Sequence, residues 1–353
     1  MTPVRVVIVD DARFVREALS RLLAADSRIQ VVATAGTGDE LLARLDEWAP
    51  DAVTLDLEMP GIGGLATLDR LAARTSLPVI IMSTRSGEGA PITIEALSRG
   101  AADFIDKEAF SLVDFRALRE VLVAKLLNVT GRQTIEVVAA ASSLAEAAPP
   151  IESGMSPVRL ALIGASTGGP RAVETVLEAL GPDLPIPVLI AQHMPEGFTR
   201  AFAERLNRSL PFDVAEATHG EALGPGMVRI APGGRHLAVD VSEGRLCTTL
   251  TDEPVGALHR PSVDVLFHSA ARVTGEETVA ALLTGMGSDG AAGMLDLATT
   301  GAWTVAQDEA TCVVYGMPRA AVLRGAAREV APLEAIGPRL LERMRPASAG
   351  VNL

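Results

Sequence analysis

The sequence predicts two consecutive α/β domains, each built on a parallel sheet with helices on both faces. With 353 residues, the chain is too long for one ordinary hydrophobic core and suits two. In both halves, short apolar runs typical of buried strands alternate with segments of helical spacing. Between the halves, residues 128–157 include AAASSLAEAAPP and show little apolar periodicity, which predicts an interdomain linker. A genuine domain helix in this stretch is the alternative.

The first domain, residues 1–127, begins with an apolar run that ends in acid, VRVVIVD. Residues 14–24 follow with helical spacing, because side chains such as Leu19 and Leu22 lie on one side. Four more apolar runs predict buried strands with helices between them, and a last helix near residues 113–127 closes the domain. The five predicted strands are 4–10, 29–35, 52–56, 78–83 and 103–107.

Composition argues against several classes of protein. The formal net charge of -13 argues against a nucleic-acid partner bound through its phosphates. We interpret the acidic surface as a contribution to solubility. The two cysteines, Cys247 and Cys312, form no C-x-x-C pair, so we expect neither a disulfide framework nor a thiolate zinc site. No apolar run reaches the roughly 18 residues that span a bilayer, and charges stand too early for a secretory signal. We therefore expect a cytoplasmic protein without membrane insertion.

Acidic side chains end two of the predicted strands of the first domain. Asp10 and Asp11 follow the first strand, and Asp56 ends the third. Carboxyl ends of parallel strands meet at one edge, so these carboxylates can converge and bind a hard cation, with Mg²⁺ the best candidate. A carboxylate held there can attack a phosphoryl donor, and Ser83 and Lys107 end the next strands, within reach of phosphoryl oxygens. For any one acid, a helix cap or a solvated turn is the alternative.

The second domain, residues 158–347, offers a nucleophile, a base and an acid after three strands. Ser166 lies in IGASTGGP, His193 in AQHMP and Asp289 in TGMGSDG. A serine hydroxyl needs an imidazole to take its proton, and the imidazole needs a carboxylate to fix its tautomer. Backbone N–H groups around Met286 could bind an oxyanion. The strands preceding these loops are predicted at 158–163, 188–191 and 279–283.

The same loops could also serve other chemistries. The segment GASTGGP could be a phosphate-binding glycine loop, but it lacks the lysine of the Walker motif. The chain order serine, histidine, acid differs from the α/β-hydrolase order of serine, acid, histidine. No H-E-x-x-H or comparable spacing predicts a metal site here. The remaining histidines are expected to be surface or structural residues: His219, His236, His259 and His268.

The first 127 residues resemble response-regulator receiver domains in VDD (9–11), LDLEMPG (55–61), MST (82–84) and GAADFIDK (100–107). The resemblance implies a flavodoxin-like sheet of order 2-1-3-4-5 and phosphorylation of Asp56 by a histidine kinase. Two departures are Gly63, where the family usually has Asp, and Glu108, where it usually has Pro. The implied Mg²⁺ ligands are Asp10, Asp11, Asp56 and Glu58. The implied phosphate and switch residues are Ser83, Lys107 and Phe104.

The second domain resembles the catalytic domain of CheB-type receptor methylesterases. The matching stretches are IGASTGGP, QHMP, APGGRH, HRPSVDVLF, TGMGSDGAAG and VYGMP. The resemblance implies Ser166 as nucleophile, His193 as base and Asp289 as its orienter, with no cofactor in this doubly wound, mostly parallel domain. It also implies Met286 N–H in the oxyanion hole, with Thr167 and Arg235 near the site.

The implied function is a phosphorylation-activated hydrolase. Its substrates would be glutamate γ-methyl esters of chemoreceptors, and its second activity the deamidation of receptor glutamines. Two alternatives stay open at this point. One is a related receiver-esterase that acts on a target outside chemotaxis, and the other is a catalytically silent receiver-scaffold protein.

Overall fold

The computed structural model describes residues 2–83, 89–107, 115–132 and 157–345. The chain divides into two compact units between Ile135 and Glu136. Most of the predicted linker, 128–157, lies outside the described residues, so the linker and the predicted domain boundaries stay predictions. The last helix of the first unit ends at Val129, two residues beyond the predicted end of that domain.

In its described residues, the N-terminal unit is a five-stranded sheet of order β2-β1-β3-β4-β5, and its strand pairs are parallel. The order confirms the flavodoxin-like prediction. The elements are β1 (Val4–Val9), α1 (Arg13–Ala24), β2 (Ile29–Ala35), α2 (Gly38–Trp48), β3 (Ala52–Asp56), α3 (Gly63–Arg74), β4 (Val79–Ser83), α4 (Gly89–Ser98), β5 (Asp103–Asp106) and α5 (Phe115–Val129).

Apolar alternation explains why these segments pack as they do. In β1 the side chains of Val4, Val6 and Ile8 point to one face, where they form a buried cluster with residues of α1 and α5. Leu23 of α1 and Leu122 of α5 belong to that cluster and are fully buried. Burying one such leucine contributes about 1.5–3 kcal/mol, so the cluster fixes β1 and its acidic end relative to the helices.

The C-terminal unit contains a seven-stranded parallel sheet of order β14-β13-β12-β6-β7-β9-β8 and an antiparallel hairpin, β10-β11. The elements are β6 (Leu160–Ala165), α6 (Gly169–Glu178), β7 (Val188–Gln192), α7 (Phe198–Ser209), β8 (Asp213–Glu216), β9 (Met227–Ile230), β10 (His236–Ser242), β11 (Arg245–Thr251), α8 (Val263–Val273), β12 (Thr278–Leu282), α9 (Ala291–Thr299), β13 (Trp303–Gln307), α10 (Met317–Leu323), β14 (Glu329–Ala331) and α11 (Leu333–Met344). A short 3₁₀ helix, Gly275–Glu277, precedes β12.

The first strand of this unit, β6, lies where the strand order reverses. Strands β7, β9 and β8 lie on one side of β6 in the sheet, and strands β12, β13 and β14 lie on the other side. Gly164 pairs with Ala191 of β7 and with Leu282 of β12, so the carboxyl ends of three neighbouring strands are level. In open parallel sheets, ligands bind at such a switch point. The predicted strand 158–163 is thus found two residues later, and it ends directly before Ser166.

The side chains of β6 are buried on both sides of the sheet. Leu162 lies in a core cluster with Leu266 of α8 and Met294 of α9 on one face, while the neighbouring Ile163 points to the other face and is fully buried there. Helices on both faces explain why this strand reads as a continuous apolar run. Among the described residues, no helix has the length and apolarity that crossing a bilayer requires.

Candidate functional site

The acidic cluster of the N-terminal unit forms as predicted. One carboxylate oxygen from each of Asp10, Asp11 and Asp56 lies within 4.8 Å of the others. Asp10 and Asp56 are buried, whereas Asp11 is exposed. The Lys107 ammonium lies 3.1 Å from Asp10 Oδ2 and 2.7 Å from Asp56 Oδ2. The charged side chains at the carboxyl ends of β1, β3 and β5 therefore form one cluster.

The charges of this cluster do not cancel. Burial raises the pKa of Asp10, and the nearby Asp56 raises it further, although Lys107 opposes both effects. Burial alone would lower the pKa of Lys107, but its contacts with Asp56 and Asp10 outweigh that effect and raise the pKa, so the ammonium stays charged. Three carboxylates against one ammonium leave an excess of negative charge. An all-oxygen donor set with that excess fits a hard divalent cation such as Mg²⁺.

The other residues that the sequence singled out in the first domain differ in their exposure to solvent. Glu58 is exposed and is not a member of the carboxylate group, although its backbone N–H lies 3.4 Å from Asp56 Oδ1. Ser83 is buried, and its hydroxyl contacts Thr93 of α4. Phe104 is buried in β5. The residues after Ser83 and after Lys107, including Glu108, lie outside the described residues, so the phosphate and switch roles stay predictions.

In the C-terminal unit, the base and the acid of the predicted triad are in contact. His193 follows β7, Asp289 follows β12, and His193 Nε2 lies 2.7 Å from Asp289 Oδ2. Both side chains are largely buried, with 7% and 14% of their surface exposed. Ser166 follows β6, which lies between those two strands. The three strand ends thus bring together the three residues that the sequence singled out.

Asp289 is fixed by the start of helix α8. Its Oδ2 accepts from Val263 N–H at 2.7 Å, and its Oδ1 accepts from the Ser262 hydroxyl at 2.8 Å and from Asp264 N–H at 3.1 Å. Burial alone would raise the pKa of Asp289, but the hydrogen bond from His193 and those from the helix N–H groups hold it well below its usual range. The carboxylate is therefore ionised and can only accept.

The tautomer of His193 follows from this contact. Because Asp289 only accepts, the ring proton lies on Nε2, and Nδ1 carries the lone pair. Nδ1 is buried and has no hydrogen-bond partner among the described residues. In the serine-protease triad Nε2 is the base and Nδ1 faces the acid, so the two nitrogens have exchanged roles here. Nδ1 is therefore the atom of this ring that can accept a proton.

Ser166 is held beside the base by its backbone. His193 N–H donates to the carbonyl of Ala165 at 3.0 Å, and Ser166 N–H donates to the carbonyl of Thr284 at 3.0 Å. The side-chain amide of Gln192 donates to the carbonyls of both Ser166 (2.9 Å) and His193 (3.2 Å). The Ser166 hydroxyl makes no hydrogen bond to Nδ1.

Two glycines let the loops approach each other at the nucleophile. Gly168 has a φ of 77°, and a Cβ there would lie 2.7 Å from Val313 Cβ. A Cβ on Gly285 would lie 2.8 Å from Ser166 Cβ and 2.3 Å from Met317 Sδ. Any side chain at Gly285 would therefore push the nucleophile out of place.

The remaining predicted residues of this unit lie as follows. Met286 is half-buried in the loop between Gly285 and Asp289, which is where an oxyanion hole is predicted. Thr167 is buried, and its carbonyl accepts from Thr284 Oγ1 at 2.9 Å. Arg235 is exposed, and its guanidinium contacts Asp252 at 3.3 Å. The oxyanion and near-site roles stay predictions.

Sequence reasoning missed one ring at this site. His259, expected to be a surface or structural residue, stacks on His193 with ring centroids 4.1 Å apart and an interplanar angle of 20°. It borders a cleft of about 900 Å³ that also touches Asp289. Residue type alone could not have identified His259, because its partner is 66 positions earlier and the segment around it has no periodic pattern.

The other three histidines have structural contacts, as expected. Buried His236 accepts from Ser262 N–H through Nδ1 at 3.1 Å, and burial lowers its pKa. His219 Nδ1 accepts from Leu250 N–H at 3.1 Å. His268 Nδ1 lies 2.6 Å from Asp296 Oδ2 on the surface of α8 and α9. His236 therefore supports Ser262, whose hydroxyl in turn donates to Asp289.

Known proteins match both units. A CheB methylesterase family model matches residues 161–340, and a response regulator receiver domain model matches residues 6–122. The chain is 44% identical over 348 residues to the protein-glutamate methylesterase/protein-glutamine glutaminase of Symbiobacterium thermophilum, with 95% of each chain covered. It is 40% identical over 353 residues to the protein of that name from Salmonella typhimurium, with 99% of each covered.

A solved structure agrees with the C-terminal unit. The crystal structure of the Thermotoga maritima CheB methylesterase catalytic domain matches with a TM-score of 0.51 and 37% sequence identity, covering 53% of this chain and 99% of that one. The fold of the C-terminal unit is thus similar to that of a solved methylesterase domain. The chain belongs to the CheB methylesterase family and carries a response regulator receiver domain in front of the esterase domain.

Proposed function

We propose that this chain is a phosphorylation-activated protein-glutamate methylesterase that acts on chemoreceptors and also deamidates receptor glutamines. The main observation that supports hydrolase activity is the 2.7 Å contact between His193 Nε2 and Asp289 Oδ2. This contact leaves Nδ1 of the same ring without a hydrogen-bond partner among the described residues. The backbone N–H of the same residue, His193, donates to the carbonyl of Ala165, which directly precedes Ser166. The names of the two relatives, protein-glutamate methylesterase/protein-glutamine glutaminase, support both activities.

The proposed reaction has two steps. Ser166 Oγ attacks the γ-carbonyl carbon of the ester while His193 Nδ1 takes the hydroxyl proton. Backbone N–H groups of the loop at Met286 receive the developing oxyanion. The bond to the methoxy oxygen breaks, the proton on His193 passes to that oxygen, and methanol leaves.

Water completes the cycle. A water molecule attacks the acyl carbon while His193 Nδ1 takes one of its protons. The bond from that carbon to Ser166 Oγ then breaks, the proton on His193 passes to Oγ, and glutamate and the free hydroxyl result. Asp289 stabilises the imidazolium in both steps, because its carboxylate is ionised and fixed by α8. With glutamine in place of the ester, the same steps release ammonia.

The N-terminal unit supplies the control. Asp56 is the proposed phosphate acceptor, with a sensor histidine kinase as the donor. Asp10 and Asp11 are the proposed ligands of Mg²⁺ together with Asp56, and the cation would neutralise charge on the phosphoryl oxygens. Lys107 already contacts the acceptor carboxylate and would bind the phosphoryl group. Glu58, Ser83 and Phe104 keep their predicted roles as ligand, phosphate contact and switch.

The proposal assigns the protein to the cytoplasm. Cys247 and Cys312 are both free thiols, which suits a reducing compartment. Methylated chemoreceptors would be the substrate and the kinase the partner.

The test replaces Ser166 by alanine in the full-length protein. We expect methanol release from methylated receptor membranes, measured with and without acetyl phosphate, to disappear in Ser166→Ala and to persist in Ser209→Ala. Ser209 is an exposed serine at the end of α7 and serves as the matched control. Methanol release by Ser166→Ala at the wild-type rate would refute the mechanism. If a fluorophosphonate labels Ser166 but receptors yield no methanol, the hydrolase stands and the chemoreceptor substrate is wrong.

A further inference from the structure

His259 has no place in a mechanism built on serine, histidine and aspartate alone. Its ring lies almost parallel to that of His193, with the centroids 4.1 Å apart. It stands in the segment 252–262, which joins β11 to α8 and ends at Ser262, the residue whose hydroxyl donates to Asp289. One connecting segment therefore contacts both the base and the acid of the site.

The known hydrogen bonds of His193 do not fix the plane of its ring. The bond from Nε2 to Asp289 holds one atom, and the torsion about the Cβ–Cγ bond of histidine has a broad, shallow preference. Nδ1 has no partner among the described residues, so no hydrogen bond restrains the other side of the ring. The flat face of His259 lies against one face of that ring and restricts its rotation.

The segment that carries His259 is itself well restrained. Ala257 N–H donates to the carbonyl of Pro254 at 3.1 Å, and the Arg260 guanidinium donates to the carbonyl of Val255 at 2.9 Å. The carbonyl of Arg260 accepts from Gly234 N–H at 3.2 Å. These bonds involve neighbours of His259 and not its ring, so substitution of the ring leaves them in place.

We propose that His259 is a positioning residue of the esterase, whose ring holds His193 Nδ1 in the direction of Ser166. This inference rests on the proposed function, because it assigns His193 as the base. The stacked ring also covers one face of His193 when that residue becomes an imidazolium, and the π-face of an aromatic ring favours a neighbouring cation. This positioning role requires a flat ring at position 259.

The experiment compares His259→Ala with His259→Phe in the full-length protein. We expect His259→Ala to lower kcat about tenfold or more while KM changes less than about twofold, since misdirection of a catalytic group affects the chemical step. His259→Phe keeps a flat ring and should return kcat to within about threefold of the wild type. His219→Ala, which removes an exposed histidine that does not line this cleft, should behave as the wild type.

Each result decides the question. A wild-type kcat in His259→Ala would overturn the inference. Equal losses of kcat in the Ala and Phe variants would also overturn it, because the ring nitrogens and not the stacked ring would then matter. Thermal unfolding of each variant checks folding, and if His259→Ala does not fold, the Phe variant alone decides by its kcat. The labelling rate of Ser166 by a fluorophosphonate is measured in parallel. If wild-type protein is labelled but yields no methanol from receptors, the substrate proposal fails, while the variants still test His259 through labelling.

Discussion

His193 Nε2 lies 2.7 Å from Asp289 Oδ2, and that carboxylate accepts three further hydrogen bonds from the first turn of α8. The acid is thus ionised and immobile, and it leaves the imidazole only one tautomer. The sheet brings the two residues together, since β7 and β12 flank β6 with their carboxyl ends level. Helix α8 then sets the direction of the carboxylate.

Replacing Asp289 by asparagine should remove activity through the tautomer. The Asn amide can donate to Nε2, which would move the ring proton to Nδ1 and leave no base for Ser166. We expect kcat to fall about 10⁴-fold, the size of the loss when the acid of a serine-protease triad is exchanged in this way. Asp296→Asn is the matched control, because Asp296 pairs with His268 at 2.6 Å outside the site. An unchanged kcat in Asp289→Asn would contradict the assigned tautomer.

The same substitution should affect stability in a pH-dependent way. The pKa of Asp289 is lowered on folding, so its carboxylate adds stability that is fully present above the unfolded value of 3.8 and is lost as the pH falls toward the folded value. Asparagine also places a donor opposite Val263 N–H, which costs about 1–3 kcal/mol. Urea unfolding should show the wild type more stable than Asp289→Asn at pH 7, with a smaller difference near pH 3. A difference that grows on acidification would be contrary to this account.

Phosphorylation of the N-terminal unit should depend on one of the three clustered acids. With acetyl phosphate and Mg²⁺, we expect full-length protein to form an acyl phosphate, and Asp56→Asn to form none, because the amide is not a nucleophile. Removing Mg²⁺ with a chelator should also prevent labelling, since the clustered carboxylates would then repel the phosphoryl donor. Asp46→Asn changes a largely exposed aspartate of α2 and should label normally. Labelling that persists in Asp56→Asn would move the acceptor to another residue.

The positions of the candidate residues along the chain could be predicted because they follow local patterns. Asp10, Asp56, Ser166 and His193 come at or just after the ends of buried apolar runs, and parallel strands present those ends at one edge. Asp289 could be placed at the same edge, next to Ser166, because it follows a predicted strand in the same way. Such placements need only the strand assignments, which apolar runs indicate well.

What the sequence could not give is the direction of side chains and the contacts between distant loops. Ser83 ends β4 as predicted, but its hydroxyl contacts Thr93, because α4 packs on that strand end. The donors to Asp289 come from Val263 and Asp264, which only the approach of α8 reveals. The stacking of His259 on His193 is of the same kind, since neither residue lies in a periodic pattern that points to the other.

A second potential nucleophile near the esterase site, Cys312, should be unreactive. Burial, with help from the charge of Asp308, raises the pKa of this thiol to about 12. The thiolate, which is the reactive form, is then about one part in 10⁴ at pH 8, whereas a free cysteine of pKa about 8.5 is about a quarter ionised. We expect alkylation of Cys312 by iodoacetamide at pH 8 to be about 10³-fold slower than that of a free thiol, and to rise about tenfold per pH unit up to pH 10.

Mass spectrometry of the modified peptides separates Cys312 from the buried Cys247, and the protein unfolded in urea gives the reference rate for both. Fast alkylation of Cys312 in the folded protein at pH 8 would make a thiol nucleophile a serious rival to Ser166. Slow alkylation with the expected pH dependence leaves the serine hydroxyl as the nucleophile, because its base is the imidazole that Asp289 and His259 hold beside it.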